Sequence, residues 1–173
     1  LNNMDEITKF MDDIKKHDIK ILGPDVNESF TQFTVNKQGN VRFGMAGVKG
    51  IGENAVNSII QEREENGTYK DIFDFIERIN LTAVNKKGIE SLVGSGALDC
   101  FPEINRGTFS VDLGKGETFA DTLLRYGNKF QKSSTDASTS LFGGESTIEI
   151  AKPMIPVSPE LNQIEVLKKE KEL

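Results

Sequence analysis

The apolar positions change period several times between residues 3 and 93, and each change marks an element. Met4, Ile7, Phe10, Met11 and Ile14 recur at helical spacing, with Asn3 placed to cap and Glu6 to reach back. That spacing predicts an amphipathic helix over 3–16, finished by Lys15 and Lys16, whose charge suits a helix C-terminus. Ile19 and Ile21 then alternate into the turn Gly23-Pro24-Asp25. Phe33 and Val35 face Val41 and Phe43 across Asn36-Lys37-Gln38-Gly39-Asn40, which predicts a β-hairpin. A two-stranded ribbon is marginal in water and must pack on helices.

The helical period returns after Gly47-Val48-Lys49-Gly50-Ile51-Gly52. Ala55, Val56, Ile59 and Ile60 form one stripe of a helix expected over 53–66, with Gly67 as its C-cap. Ile72, Phe75, Ile76 and Ile79 predict a short helix over 71–79, and Thr82 to Val93 a further one ending at Gly94-Ser95-Gly96. Helix, Gly-x-Gly, helix thus occurs twice in about fifty residues, the second time in degenerate form. Two such units are expected to pair pseudo-symmetrically, because neither buries its apolar face alone.

Residues 102–117, with Pro102, Gly107, Gly114 and Gly116, read as irregular or partly extended. Thr118 and Asp121 cap another helix, whose apolar side is Phe119, Leu123, Leu124 and Phe130. Gln131 to Ser140 is small and polar and reads as a flexible linker, which then presents Leu141-Phe142. Ser158-Pro159 starts a last helix with Leu161, Ile164 and Leu167 on one face. The fold class is therefore mainly α with a small β-hairpin: a tandem helix-hairpin-helix domain with flanking helices and a flexible linker. The expected divisions are 1–44, 45–130, 131–157 and 158–173.

Charge narrows the function. The net charge is -6, with 21 Lys and Arg against 27 Asp and Glu in 173 residues, which argues against a broad nucleic-acid surface. The central stretch 45–97 holds six Lys or Arg and eight Asp or Glu. Any DNA contact must be local, made by a few lysines and backbone amides. One cysteine, Cys100, rules out an internal disulfide, suits a reducing compartment and reads as a small packed residue; with a single histidine, His17, it offers no zinc site. No apolar run approaches the roughly 20 residues that span a bilayer. No signal peptide is visible, so a cytoplasmic location without membrane partners is expected. A chain beginning at Leu1 and stopping within a charged helix looks like part of something longer.

The candidate chemistry centres on the first glycine turn. Gly50 and Gly52 can take positive φ and let a ligand approach the backbone. The first amides of the outgoing helix lack internal partners and sit at the positive end of its dipole, which suits a phosphate. The amides of Gly50, Gly52 and Glu53, with the charge of Lys49, are the expected DNA contacts. The turn carbonyls of Val48 and Ile51 offer a place for a monovalent cation. Lys86 and Lys87, with the turn Ser95-Gly96, form a second candidate contact, balanced against a plain solvated helix face. Arg42 is expected to pair with a carboxylate, and Glu62, Glu64 and Glu65 to be solvated. No carboxylate pair suggests acid–base or metal chemistry, so no catalytic residue and no metal ligand is assigned.

Several longer strings carry a resemblance. Asp18-Ile19-Lys20-Ile21-Leu22-Gly23-Pro24-Asp25-Val26-Asn27-Glu28-Ser29 and Val41-Arg42-Phe43-Gly44-Met45-Ala46-Gly47-Val48-Lys49-Gly50-Ile51-Gly52 resemble the alpha subunits of bacterial replicative DNA polymerase III, the C-family polymerases. Phe73-Asp74-Phe75-Ile76-Glu77-Arg78, Asn85-Lys86-Lys87-Gly88-Ile89-Glu90-Ser91-Leu92 and Ser95-Gly96-Ala97-Leu98-Asp99 continue it, closely over roughly 1–100 and in outline beyond. The resemblance implies the end of a fingers domain followed by the tandem helix-hairpin-helix and clamp-binding region. The catalytic aspartates and their magnesium, which serve the nucleotidyl transfer of the parent polymerase, would lie outside this stretch. It further implies contact with primer–template duplex, other holoenzyme subunits and a sliding clamp, the last through Leu141 and Phe142. The clamp motif usually opens with Gln, where this chain has Ser138. A helical protein–protein module that never touches DNA is the competing reading, favoured by the negative charge. A repair nuclease or ligase module is a distant third, since Pro24-Asp25-Val26-Asn27 has no place there.

Overall fold

The computed structural model describes residues 9, 13–14, 16–17, 19–139, 150–162 and 164–167, with side chains in the long helix given only as far as residue 134. The expected helix over 3–16 lies mostly outside the described residues; Lys9, Asp13, Ile14 and Lys16 are helical.

Alternation produces a sheet of three strands, one more than expected. Strand β1 (Ile21–Leu22) lies parallel to β3 (Val41–Arg42), and β2 (Thr34–Val35) pairs antiparallel with β3 on its other side. The register sets Ile21 and Val35 against Val41. The hairpin turn is closed by Asn36, whose Oδ1 accepts from the amides of Gln38 and Asn40. Phe33 and Phe43 meet with ring centroids 4.4 Å apart. A third strand answers the marginal stability of an isolated ribbon.

Four helices follow: α1 (Glu53–Asn66), α2 (Ile72–Arg78), α3 (Lys86–Ser95) and α4 (Phe119–Thr139). Helix α1 buries Ala55, Val56, Ile59 and Ile60, the stripe that the periodicity marks. Helix α2 is capped by Asp71, which accepts from the Asp74 amide, and α3 by Asn85, which accepts from Gly88. The start of α3 therefore falls at Lys86 and not at Thr82: Asn80 draws residues 82–84 into a turn by accepting from the amides of Thr82 and Ala83. One core joins the helices, with Phe75, Phe101, Phe119, Ile59, Ile72, Ile89 and Leu92 fully enclosed.

The string Asp25-Val26-Asn27 ties the sheet segment to that core. Val26 is completely buried; its amide donates to Ala97 O at 2.9 Å, and its carbonyl accepts from Arg63 Nη1 at 2.8 Å. Asn27 grips the backbone of Tyr69 with both ends of its amide, donating to Tyr69 O and accepting from Tyr69 N. Arg42 pairs with Glu28, as the sequence suggests. Glu62 differs from its expectation: Arg78 Nε reaches it at 2.9 Å, and Arg78 also holds Asp74, so this acid is part of a link between α1 and α2.

The expected linker over 131–140 is helical as far as Thr139. Gln131 explains the first part of the extension, because its Nε2 donates to the carbonyls of Ile76, Glu77 and Ile79 and so finishes α2. Gly127, one turn earlier, lets α4 come close to Ile76 O. Leu141 and Phe142 lie outside the described residues, as does the side chain of Ser138. Residues 150–162 return to the body as an extended strap. Ile150 and Ile155 pack on the core, Lys152 lies 5.1 Å from the centre of the Phe73 ring, and Asn105 Nδ2 donates to Ser158 O. Ser158-Pro159 consequently starts no helix; helical structure appears at 164–167 behind Asn162, which exchanges capping bonds with Glu165.

Candidate nucleic-acid interface

Val48 and Ile51 are the two apolar residues of the first turn, and both are buried. They pull the turn onto the core and leave Lys49, Gly50 and Gly52 outside. A short 3-10 turn, Met45–Gly47, leads in. Gly50 has φ +94°, a left-handed conformation that disfavours any side chain, and a Cβ there would run into Ser91 Oγ. Gly52 differs: its φ is -78°, it occupies the N-cap of α1, and nothing lies within 4 Å of where its Cβ would be. Only one of the two glycines is therefore demanded by the fold.

At Gly52 the helix begins without a side-chain cap. The first α-helical bond runs from the Val56 amide to Gly52 O at 3.1 Å, which leaves the amides of Glu53, Asn54 and Ala55 without acceptors among the described residues. They lie at the positive end of a 14-residue helix.

Packing of the second helical pair against the first brings another lysine to the same place. Lys87 Cε lies 3.5 Å from the position of a Cβ on Gly50. Lys49, Gly50, Lys87 and Ser91 line one groove of about 520 Å³, floored by Val93, Phe109 and Ala120. Among the described residues neither Lys49 nor Lys87 has a carboxylate partner.

Lys86 goes elsewhere. Its Nζ sits 2.6 Å from Asp121 Oδ1 and 4.0 Å from Glu90, so the α4 cap holds it. The hydrogen bond from Lys86, assisted by Thr118, keeps the Asp121 carboxyl below the usual range, and the same bond raises Lys86. Ser95-Gly96 is separate again. Gly96 is the left-handed C-cap of α3, a Cβ there would collide with Arg106 Nη2, and Arg106 also reaches Asp99 and Gly94 O. Gly94-Ser95-Gly96 thus closes a helix, with turns following it, and the second helix–turn–helix is α2, residues 79–85 and α3. Its turn lacks the Gly-x-Gly pattern, which is why the sequence points to the wrong glycines.

The family model for the helix-hairpin-helix motif matches residues 18–109. The chain belongs to this family. The helix-hairpin-helix chain is also similar to the DNA polymerase III alpha subunits of Chlamydia trachomatis, 35% identical over 99% of its residues, and of Pseudomonas aeruginosa, 30% over 83%. It is 31% identical to that of Haemophilus influenzae over 83% of its residues. It spans 13%, 13% and 12% of the lengths of these relatives. These similarities agree with the resemblance drawn from the sequence. No helix among the described residues is long and apolar enough to cross a membrane, and no three His, Cys, Asp or Glu side chains there converge on a metal site.

Ser91 and Arg106 are the residues that sequence reasoning missed. Both stand in strings quoted for or near the resemblance, but neither carries a charge pattern or spacing that singles it out.

Proposed function

We propose that this chain is a non-catalytic segment of a replicative DNA polymerase that holds the duplex by its phosphate backbone. Gly52 carries the reading. It is a glycine that neither φ nor packing requires, it stands at an uncapped helix N-terminus, and Lys49 and Lys87 flank the same turn. A phosphate needs that combination: close approach to amides, a favourable dipole and nearby positive charge. Two lysines make a weak grip, in keeping with a segment that works within a larger cytoplasmic polymerase whose magnesium chemistry lies elsewhere. The proposal includes a monovalent cation on the Val48 and Ile51 carbonyls, and clamp tethering and holoenzyme contacts through the stretch containing Ser138, Leu141 and Phe142.

Fluorescence anisotropy of a labelled primer–template duplex tests the central claim. Two neutralised phosphates give a slope of about -1.8 in log affinity against log salt. Lys49→Glu should abolish binding, and Gly52→Val should weaken it with the helical circular dichroism intact. Potassium should support tighter binding than tetramethylammonium. Leu141→Ala with Phe142→Ala should remove co-elution with the clamp. Salt-insensitive binding, or none at low salt, favours the second reading, a protein-packing module, which the net charge of -6 supports.

A further inference from the structure

Ser91 sits in the middle of α3 with only 5% of its surface exposed, yet its hydroxyl has no hydrogen-bond partner among the described residues. A helical serine ordinarily bonds the carbonyl one turn back or faces water. This one faces the first glycine turn instead: its Oγ lies where a Cβ on Gly50 would be, and it lines the groove with Lys49 and Lys87. Packing against Gly50 requires a small side chain at this position, but it does not require a hydroxyl, since alanine is small enough as well. The hydroxyl opens on the groove, so its donor is available to whatever enters there. A ligand that brings an acceptor oxygen into the groove gives that donor a partner.

We propose that Ser91 Oγ donates to a phosphodiester oxygen seated at the Gly50 turn, so that the second helical pair supplies a side-chain donor to the anion site of the first. The inference rests on the backbone-binding reading above and deepens it. Lys87 and Ser91 lie one turn apart on α3 and reach the turn together, one bringing charge and the other a directed hydrogen bond. The site is therefore shared between the two hairpins. A phosphate bound there would pin α3 against the start of α1.

The test titrates a labelled 20-base-pair duplex with the 173-residue chain, with Ser91→Ala and with Lys87→Met, each across a series of salt concentrations. Ser91→Ala is expected to weaken binding about tenfold, the scale of a hydrogen bond to a charged group. Its salt slope should match the parent, because no charge is lost, and its melting temperature should be unchanged. Lys87→Met should instead lower the magnitude of the slope by about 0.9. Unchanged affinity in Ser91→Ala overturns the assignment. So does weaker binding accompanied by a lower melting temperature, which would make the residue a packing element. If the parent chain shows no salt-dependent binding, the backbone reading itself fails, and that outcome is distinct because it appears before any substitution.

Discussion

Gly50→Ala isolates the strain on which the candidate site is built. At φ +94° an L-residue costs roughly 1–2 kcal/mol relative to glycine. The added Cβ would also meet Ser91 Oγ, and an overpacked contact of this kind costs about 1–3 kcal/mol. Together these give about 2–5 kcal/mol. In a Ser91→Ala background the hydroxyl is gone and the nearest atom of that residue is its Cβ, 3.6 Å away, an ordinary contact. Only the backbone term should then remain, leaving a coupling of about 1–3 kcal/mol between the two positions. Urea unfolding of the parent, both single variants and the double variant measures that coupling. On thermal scans each kcal/mol should appear as about 2–4 °C for a chain of this size. Equal costs of Gly50→Ala in the two backgrounds would refute the contact. A cost below about 0.5 kcal/mol in either would refute the left-handed turn itself.

Asp121→Asn should release Lys86 toward the solvent and raise duplex affinity most at low salt; unchanged affinity would show that Lys86 plays no part in binding even when free. The same substitution has a pH signature. The Asp121 carboxyl is depressed in the folded chain, so its contribution is intact above the ordinary value of 3.8 and fades as pH falls below it. The variant should therefore lose less stability on acidification than the parent, as followed by circular dichroism between pH 5 and pH 2. Cys100 lies exposed at the surface and is not the packed residue that its apolar neighbours suggest, yet its thiol is pushed up to about 12, chiefly by partial desolvation and then by the Asp25 charge. Iodoacetamide at pH 8 should label it much more slowly in the folded chain than in urea, and equal rates would contradict that environment.

The fold was legible wherever the apolar period was long. Helix α1 declares itself through Ala55, Val56, Ile59 and Ile60 and stops at Gly67, and Phe33, Val35, Val41 and Phe43 announce the hairpin. What failed depended on single polar contacts across the chain. The parallel strand β1 takes its partner from twenty residues away, which no local alternation reveals. The residues after Phe130 look like a linker because Ser, Thr and Asp favour turns, whereas Gln131 draws them into α4 by bonding three carbonyls of another helix. At the site, Lys49, Gly50 and Gly52 were readable because glycine and charge fall together in one short string. Lys86 and Lys87 are neighbours in sequence, yet helical geometry sends one to Asp121 and the other to Gly50, and only the packing of α3 separates them. Ser91 had no signal at all, since its meaning lies in the hydrogen bond it does not make.

Helix α1 separates charge along its length, and this bears on how a polyanion would see the molecule. Lys49 precedes its N-terminus and Glu53 opens it, while Glu62, Glu64 and Glu65 outnumber Arg63 in its last turns. From Gly52 to Glu64 the axis covers about 18 Å. At physiological ionic strength, where the screening length is about 8 Å, a phosphate at the turn barely feels the far acids. At 0.01 M salt the length grows to about 30 Å and they come within range. Binding should thus strengthen less on dilution into very low salt than a count of lysines implies, giving a curve that flattens. The far end of the helix is thus a salt-dependent brake on the turn: it acts on a bound phosphate through distance alone, without touching it.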